Sequence, residues 1–464
     1  MKMQNIYYKY ENSTEGVCRM RHRIWIGKYI GKMLGLSVGI LVFIGIAGLL
    51  NKMYKTDNDA HYRILWHHFY EDEGKIDNLY LGSSHVYYAL DPRILDELTG
   101  EYNFNLASPS QPLNGSYYLL REAEQRNDLS HVYLEMYYLS TANDDRLLMY
   151  QRNWSNTDYM KMSINKIAYM RSIGGMNRFV NVILPFSRYR KYLGDWDYVK
   201  EGLNEKKEEQ DYYSEPYEIE NRGEGEREVI YGQGFRESTI VFKEYQKLYK
   251  QNEDLSEFFI SEKNEKYCRM IIEYCQRKGL PITLFASPMT DLRLIGTTDY
   301  DKYVNEIRKL AREYGVAFYD FNLAREEYLP LQDSSFRDDH HLNKCGAEVF
   351  TPFFYKVVSG GEADYSTYFY DSYKDKLNAL APAIYGICYS DSADGVHSMW
   401  VASNRDTGME YKIVLKPDEG EPYTVQDFKE NKEFQTPSEE HGICTLVARM
   451  KDSPEEERKM EINY

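Results

Sequence analysis

Five short apolar runs, each trailed by a longer amphipathic stretch, constrain this chain more than any other feature. They are Ile76 to Gly82, Tyr102 to Ala107, His131 to Tyr138, Pro281 to Pro288 and Val316 to Asn322. Short β-rich segments alternating with helical ones predict a parallel sheet with both faces covered by helices. The helix ahead of the fifth run is the clearest. Tyr300, Tyr303, Val304, Ile307, Ala311 and Tyr314 trace one face, and Gly315 ends it in the position where a left-handed residue closes a helix. The expected class is α/β, three layers built on a five-stranded parallel sheet. Ligands of such sheets sit beyond the carboxyl ends of the strands.

A second constraint lies near the N-terminus, where Met33 to Leu50 runs for 18 residues without a charge. That is long enough to cross a hydrocarbon core, and a transmembrane helix over 29–51 is expected. Arg19, Arg21, Arg23, Lys28 and Lys32 precede it, whereas Lys52 and Lys55 are soon joined by Asp57 and Asp59. The positive-inside rule makes 1–28 a cytoplasmic tail and puts the rest of the chain outside the cell. The sequence Gly48-Leu49-Leu50-Asn51-Lys52 offers no Ala-x-Ala site, so an uncleaved anchor is favoured over a removed signal peptide. Gly31, Gly35 and Gly39 form a ladder suited to packing against another helix, but glycine is common in membrane helices, and both readings stand.

The remaining chain divides into a linker at 52–75, an α/β domain at 76–360 with an insertion at about 140–261, and a β-rich part at 361–464. Within the insertion, Asn204 to Arg236 is dense in charge and poor in apolar periodicity; it reads as an exposed, partly ordered loop in preference to a lid. In the last part Tyr411–Leu415, Tyr423–Phe428 and Cys444–Ala448 alternate at period two, which predicts a small β-sandwich. Net charge is −16, from 73 acidic against 57 basic residues without a basic stripe, which argues against nucleic acid as a partner. Six cysteines are too few for a disulfide scaffold. Cys268 and Cys275 share a helical face with Ile271 and Ile272 and read as core. Cys388 and Cys444 fall in two candidate strands, and both the bridged and the free state remain open. The 45 tyrosines suit sugar platforms, yet without a cluster they read as compositional bias.

The chemistry rests on two separated motifs. Gly82-Ser83-Ser84 closes the first apolar run, and Asp338-Asp339-His340-His341 follows the fifth. A serine hydroxyl becomes nucleophilic only when a base takes its proton, and that base needs a partner to hold its tautomer. Ser84 is assigned as nucleophile, His341 as base and then acid, and Asp338 as orienter, the spacing letting the last two meet across one turn. Backbone N–H groups at Ser84 and Ser110 are the expected oxyanion donors. His85 is expected to face away, and Glu135 to take a hydrogen-bonded structural role. Asp338, Asp339, His340 and His341, with His67 and His68, are possible metal ligands, but adjacent residues rarely converge on one ion; neither a metal nor a cofactor is expected.

These motifs resemble the SGNH/GDSL hydrolase superfamily. Gly82-Ser83-Ser84 is similar to its first block, and Asp338 to His341, continued by Leu342, Asn343 and Gly346, to its last. Asn105-Leu106-Ala107-Ser108-Pro109-Ser110 is similar to the second block, with Ser110 in the place of a glycine. The third block departs, because Leu134-Glu135-Met136-Tyr137-Tyr138 carries no asparagine. The resemblance implies a flavodoxin-like fold, with Asn105, Ser108, Ser110 and Gln111 as oxyanion or binding residues. It points to the membrane-anchored branch that includes the lipoteichoic acid D-alanylation protein and the alginate O-acetylation proteins. That branch implies an extracytoplasmic enzyme partnered by a membrane-bound O-acyltransferase. It would carry an acyl group on Ser84 and pass it to a polysaccharide or cell-wall hydroxyl, or to water as an esterase. The alternative is an inactive protein of the same fold that binds glycan or serves assembly.

Overall fold

The computed structural model describes residues 4–54, 60–142, 154–173, 184–205, 213–219, 225–251, 253–360, 365–391 and 395–464. The chain forms two compact units, residues 1–58 with 175–212, and 59–174 with 213–464.

In the first unit one helix runs from Gln4 to Tyr54. Its stretch Tyr29–Tyr54 has a mean hydropathy of 2.5 and is almost wholly unburied, so it is long and apolar enough to cross a membrane. Side chains before Tyr29, including Arg19, Arg21 and Arg23, lie outside the described residues. The foot of this helix is held by the segment 185–205. Phe186 N–H donates to Asn51 Oδ1 at 2.8 Å, and Tyr198 Oη donates to the Tyr54 carbonyl at 3.3 Å.

The second unit opens on a correction. The expected linker contains a helix, Ala60–Glu71, in which Tyr62, Ile64, Leu65, Trp66 and Phe69 are buried. Polar residues between these positions mask its apolar face in the sequence. A five-stranded parallel sheet follows, made of β1 (Asn78–Leu81), β2 (Asn103–Asn105), β3 (His131–Glu135), β8 (Ile282–Ala286) and β9 (Ala317–Asp320). All five lie inside the expected runs. Their spatial order is β2-β1-β3-β8-β9. Every residue of β1, β2 and β8 is buried, as strands covered on both faces require. One set of helices pairs Leu113–Glu124 with Glu262–Lys278 and Ile164–Ser172; another pairs Lys344–Gly360 with Ser84–Ala89 and Pro92–Thr99. The winding of the chain reverses between β1 and β3, the switch point at whose carboxyl ends ligands of such sheets sit.

The insertion carries β4 (Tyr217–Ile219), β5 (Glu228–Ile230) and β6 (Arg236–Ser238), a small antiparallel sheet. This corrects the solvated-loop expectation in part. Residues 206–212 and 220–224 lie outside the described residues, but Glu228, Val229 and Ile230 are buried. A charged run reads as solvated unless its partners, here distant arginines, are known.

The last hundred residues hold β10 (Ile384–Asp391), β11 (Val396–Ser403), β12 (Met409–Pro417), β13 (Tyr423–Lys429), β14 (Glu433–Pro437), β15 (Gly442–Met450) and β16 (Ser453–Asn463). With β7 (Leu248–Lys250) from the insertion, which lies at the edge of the first, parallel to β10, they form two four-stranded sheets. Ile387, Met399 and Val401 from one sheet share a buried cluster with Tyr411, Ile413, Leu415, Cys444 and Leu446 from the other. Cys388 and Cys444 are free thiols. Successive strand residues point to opposite faces, so Cys388 turns away from the cluster that holds Ile387 and Cys444, and lies against Gly296.

Candidate active site

β1 ends at Gly82, where a Cβ would come within 2.6 Å of Glu135 Cβ and 2.5 Å of Val86 Cγ2, so only glycine lets the chain pass. Ser83 then caps the helix Ser84–Ala89, its Oγ accepting from His85 N–H at 3.3 Å. The same Oγ and the Ser83 N–H both donate to Glu135 Oε2 at 2.7 Å. The carboxylate at the end of β3 thus clamps the residue before Ser84, and Ser84 opens the helix from a fixed backbone.

The opposing loop is equally constrained. Phe336 and Leu342 bridge, and Arg337 N–H donates to the His341 carbonyl at 2.9 Å, which closes the five residues 337–341 into a tight loop. Inside it Asp338 Oδ1 accepts from the N–H groups of His340 and His341, at 3.1 and 2.8 Å. The Asp338 carboxylate also meets His341 Nδ1, with oxygens at 2.9 and 3.0 Å. His341 Nε2 lies 2.7 Å from Ser84 Oγ. Ser84, His341 and Asp338 therefore form one continuous hydrogen-bonded chain between residues 257 positions apart.

The electrostatics suit a resting base. Burial opposes the charge on Asp338, but His341, His340 and Arg337 outweigh it and hold the carboxyl well below its usual range. Burial, with His340 and His85 nearby, holds His341 well below the ordinary imidazole value despite Asp338. Neutral imidazole beside ionised aspartate is the state that accepts a hydroxyl proton. On the other side of the loop Asp339 pairs with His340 Nδ1 at 2.7 Å and accepts from Arg293 at 2.9 Å, while Thr290 Oγ donates to the Asp339 carbonyl at 2.6 Å.

The residues after β2 divide. Asn105 spends its side chain inside the fold, donating to the carbonyls of Val86 and Leu90 and accepting from Ala107 N–H. Ser108 and Gln111 belong to a buried relay from Asn156 through Ser108 and Gln111 to Ser116. These side chains are thus committed to one another inside the fold. Ser110 adopts a left-handed φ of 48°. Among the described residues, neither its N–H nor that of Ser84 donates to a protein acceptor.

Several neighbours escaped the sequence reading. His85 does not face away; it is buried, with ring centroids 4.9 Å from His341 and 4.1 Å from Tyr137, and Nδ1 3.4 Å from Glu135 Oε1. Burial depresses its pKa in spite of Glu135. Tyr88 Oη donates to Glu228 at 2.8 Å, and Arg337 joins both. Arg236 braces the same carboxylate at 2.7 Å. The i+4 position of Tyr88 relative to Ser84 was the one available signal.

Nitrogens of His85, His340 and His341, or one of these with the two aspartates, come close enough together to hold a cation. His341 is committed on both nitrogens, and His340 Nδ1 is committed to Asp339, so these ligand sets compete with bonds already made. No family model and no curated protein matches the chain.

Proposed function

We propose that this chain is a membrane-anchored, extracytoplasmic serine O-acyltransferase or esterase of the SGNH/GDSL type, working through an acyl-Ser84 intermediate on a cell-surface polysaccharide or cell-wall polymer. The observation that carries the reading is the 2.7 Å contact of Ser84 Oγ with His341 Nε2, backed by Asp338. Two features support the family, and a third the C-terminal sandwich. The parallel strands, numbered among themselves, run 2-1-3-4-5, the flavodoxin-like order, and the two helix sets suit three layers. Ser110, in the place of the family's glycine, takes a left-handed backbone. The paired C-terminal sheets with one apolar cluster favour a β-sandwich. The apolar Tyr29–Tyr54 segment supports the anchor, and the charge bias of its flanks the outward orientation.

In this mechanism His341 takes the Ser84 proton as Oγ attacks the acyl carbonyl. Asp338 stabilises the imidazolium, and the uncommitted N–H groups of Ser84 and Ser110 receive the developing oxyanion. His341 returns the proton to the leaving group. It then deprotonates the acceptor hydroxyl, or water, which releases the acyl group and restores Ser84. A membrane-bound O-acyltransferase is the partner of choice to deliver acyl groups to an enzyme so placed.

One observation favours the inactive alternative. The stretch Leu134 to Ser140 lacks the asparagine that supplies the family's side-chain oxyanion donor. Fluorophosphonate labelling decides between them. Labelling of the wild type that disappears in Ser84→Ala supports catalysis, and an unlabelled wild type supports the binding protein. Acceptor-dependent transfer from p-nitrophenyl acetate then separates transferase from esterase.

A further inference from the structure

Beside the catalytic loop lies a cavity of about 390 Å³, in the size class of small-molecule sites. Its walls come from the ends of β8 and β9, from the segment 324–336, and from Ile384 and Tyr385 at the start of β10. Two lining residues tie it to the triad. Thr290 holds the Asp339 carbonyl, and Phe336 immediately precedes Arg337 and bridges to Leu342. The cavity is thus formed jointly by the parallel sheet and the C-terminal strands.

Its charges are paired but not balanced, three carboxylates standing against two lysines. Lys376 lies 3.6 Å from Asp291 and 3.5 Å from Glu326, and donates to the Asn322 carbonyl at 3.1 Å. Asp333 pairs with Lys247. No lining cation is left over for a phosphate or carboxylate, because Lys376 is shared between Asp291 and Glu326. Polar capacity does remain. Glu326 Oε1 stands 3.5 Å from Lys376 as an ion pair but makes no hydrogen bond, and the Tyr385 hydroxyl makes none to the described residues. Burial, with Asp291 and Glu326 nearby, keeps that phenol protonated and therefore a donor. Phe321, Phe336 and Leu329 supply apolar wall. Acceptor capacity on Glu326, a donor on Tyr385 and an aromatic wall without a spare cation suit a ligand rich in hydroxyls and free of negative charge.

We propose that this cavity is a subsite for a neutral sugar residue of the acceptor, with Glu326 and Tyr385 as its polar contacts. The proposal rests on the acyl-transfer reading for its role in the reaction, but binding can be measured without turnover. The full chain carrying Ser84→Ala, in detergent, is titrated by calorimetry with cellotetraose, with chitotetraose and with a glycerol phosphate oligomer. The expected result is binding of a neutral oligosaccharide that weakens by about fivefold or more when Tyr385→Phe or Glu326→Ala is added, the effect of one lost hydrogen bond. Matching thermal midpoints establish that the variants are folded. Failure of both neutral sugars to bind, binding insensitive to both substitutions, or preference for the anionic oligomer overturns the subsite. Fluorophosphonate labelling of the wild type is read in parallel. Sugar binding that responds to the substitutions while Ser84 stays unlabelled supports the subsite and removes the acyl-transfer reading instead.

Discussion

Asp338 with His341 and Asp339 with His340 are two aspartate–histidine pairs in four consecutive residues, and they have different surroundings. The first faces Ser84, with the imidazole bonded at both nitrogens between carboxylate and hydroxyl. The second faces a structural clamp. Asp339 is held by Arg293, whose guanidinium also reaches Tyr138 at 3.0 Å and Glu253 at 3.4 Å. Identical residue types therefore take different work from what lies across from them. A motif becomes a reaction centre only where the fold supplies the third member.

The sharpest way to break this comparison is to remove each imidazole in turn. His341→Gln is expected to lower kcat by about a million-fold, to the level left when a serine triad loses its base. His340→Gln should cost no more than about tenfold, since its partner is a clamp and not the nucleophile. Steady-state acyl release measures both, and similar losses would show that the two pairs act as one. Next in size, Asp338→Asn should reduce kcat by about ten-thousand-fold through loss of the orienting carboxylate. Asp339→Asn should instead lower stability by about 1–3 kcal/mol in urea melts, because it strips a charged partner from buried Arg293.

Glu135→Gln tests the clamp on Ser83. An amide cannot accept both Ser83 donors as strongly, so kcat should fall by roughly ten- to a hundredfold while KM changes little. The smallest effect is in pH. His341 and His85 are both depressed from an ordinary value of 6.5, so each binds more protons unfolded than folded. The stability they confer is complete above that value and declines as pH falls below it. Activity needs neutral His341, so kcat/KM should stay level from pH 8 down through 6.5 and fall only at lower pH. An acid limb centred at or above 6.5 would contradict the buried base.

Much of this was readable in advance, for local reasons. The five parallel strands announce themselves because strands buried on both faces are continuous apolar runs. Asp338 and His341 meet because three residues make one turn. What the sequence did not show depended on partners far along the chain. Asn105, Ser108 and Gln111 follow β2 as binding residues would, yet their polar atoms are consumed by Val86, Asn156 and Ser116. Glu228 sits in a run that looks solvated until Arg236, Arg337 and Tyr88 are placed around it. No sequence pattern announces that Glu135 and Ser83 will face each other from neighbouring strand ends.

The pairing of β7 with β10 bears on how this polypeptide can be made and cut. Leu248–Lys250 emerges from the ribosome well over a hundred residues before the strand that completes it. Until synthesis nears its end, that short edge waits with open backbone groups, and closing so long a loop is slow. Expression of a version stopped ahead of Ile384 should consequently yield an aggregation-prone fragment, so the tail is a closing piece of the whole and not a detachable module.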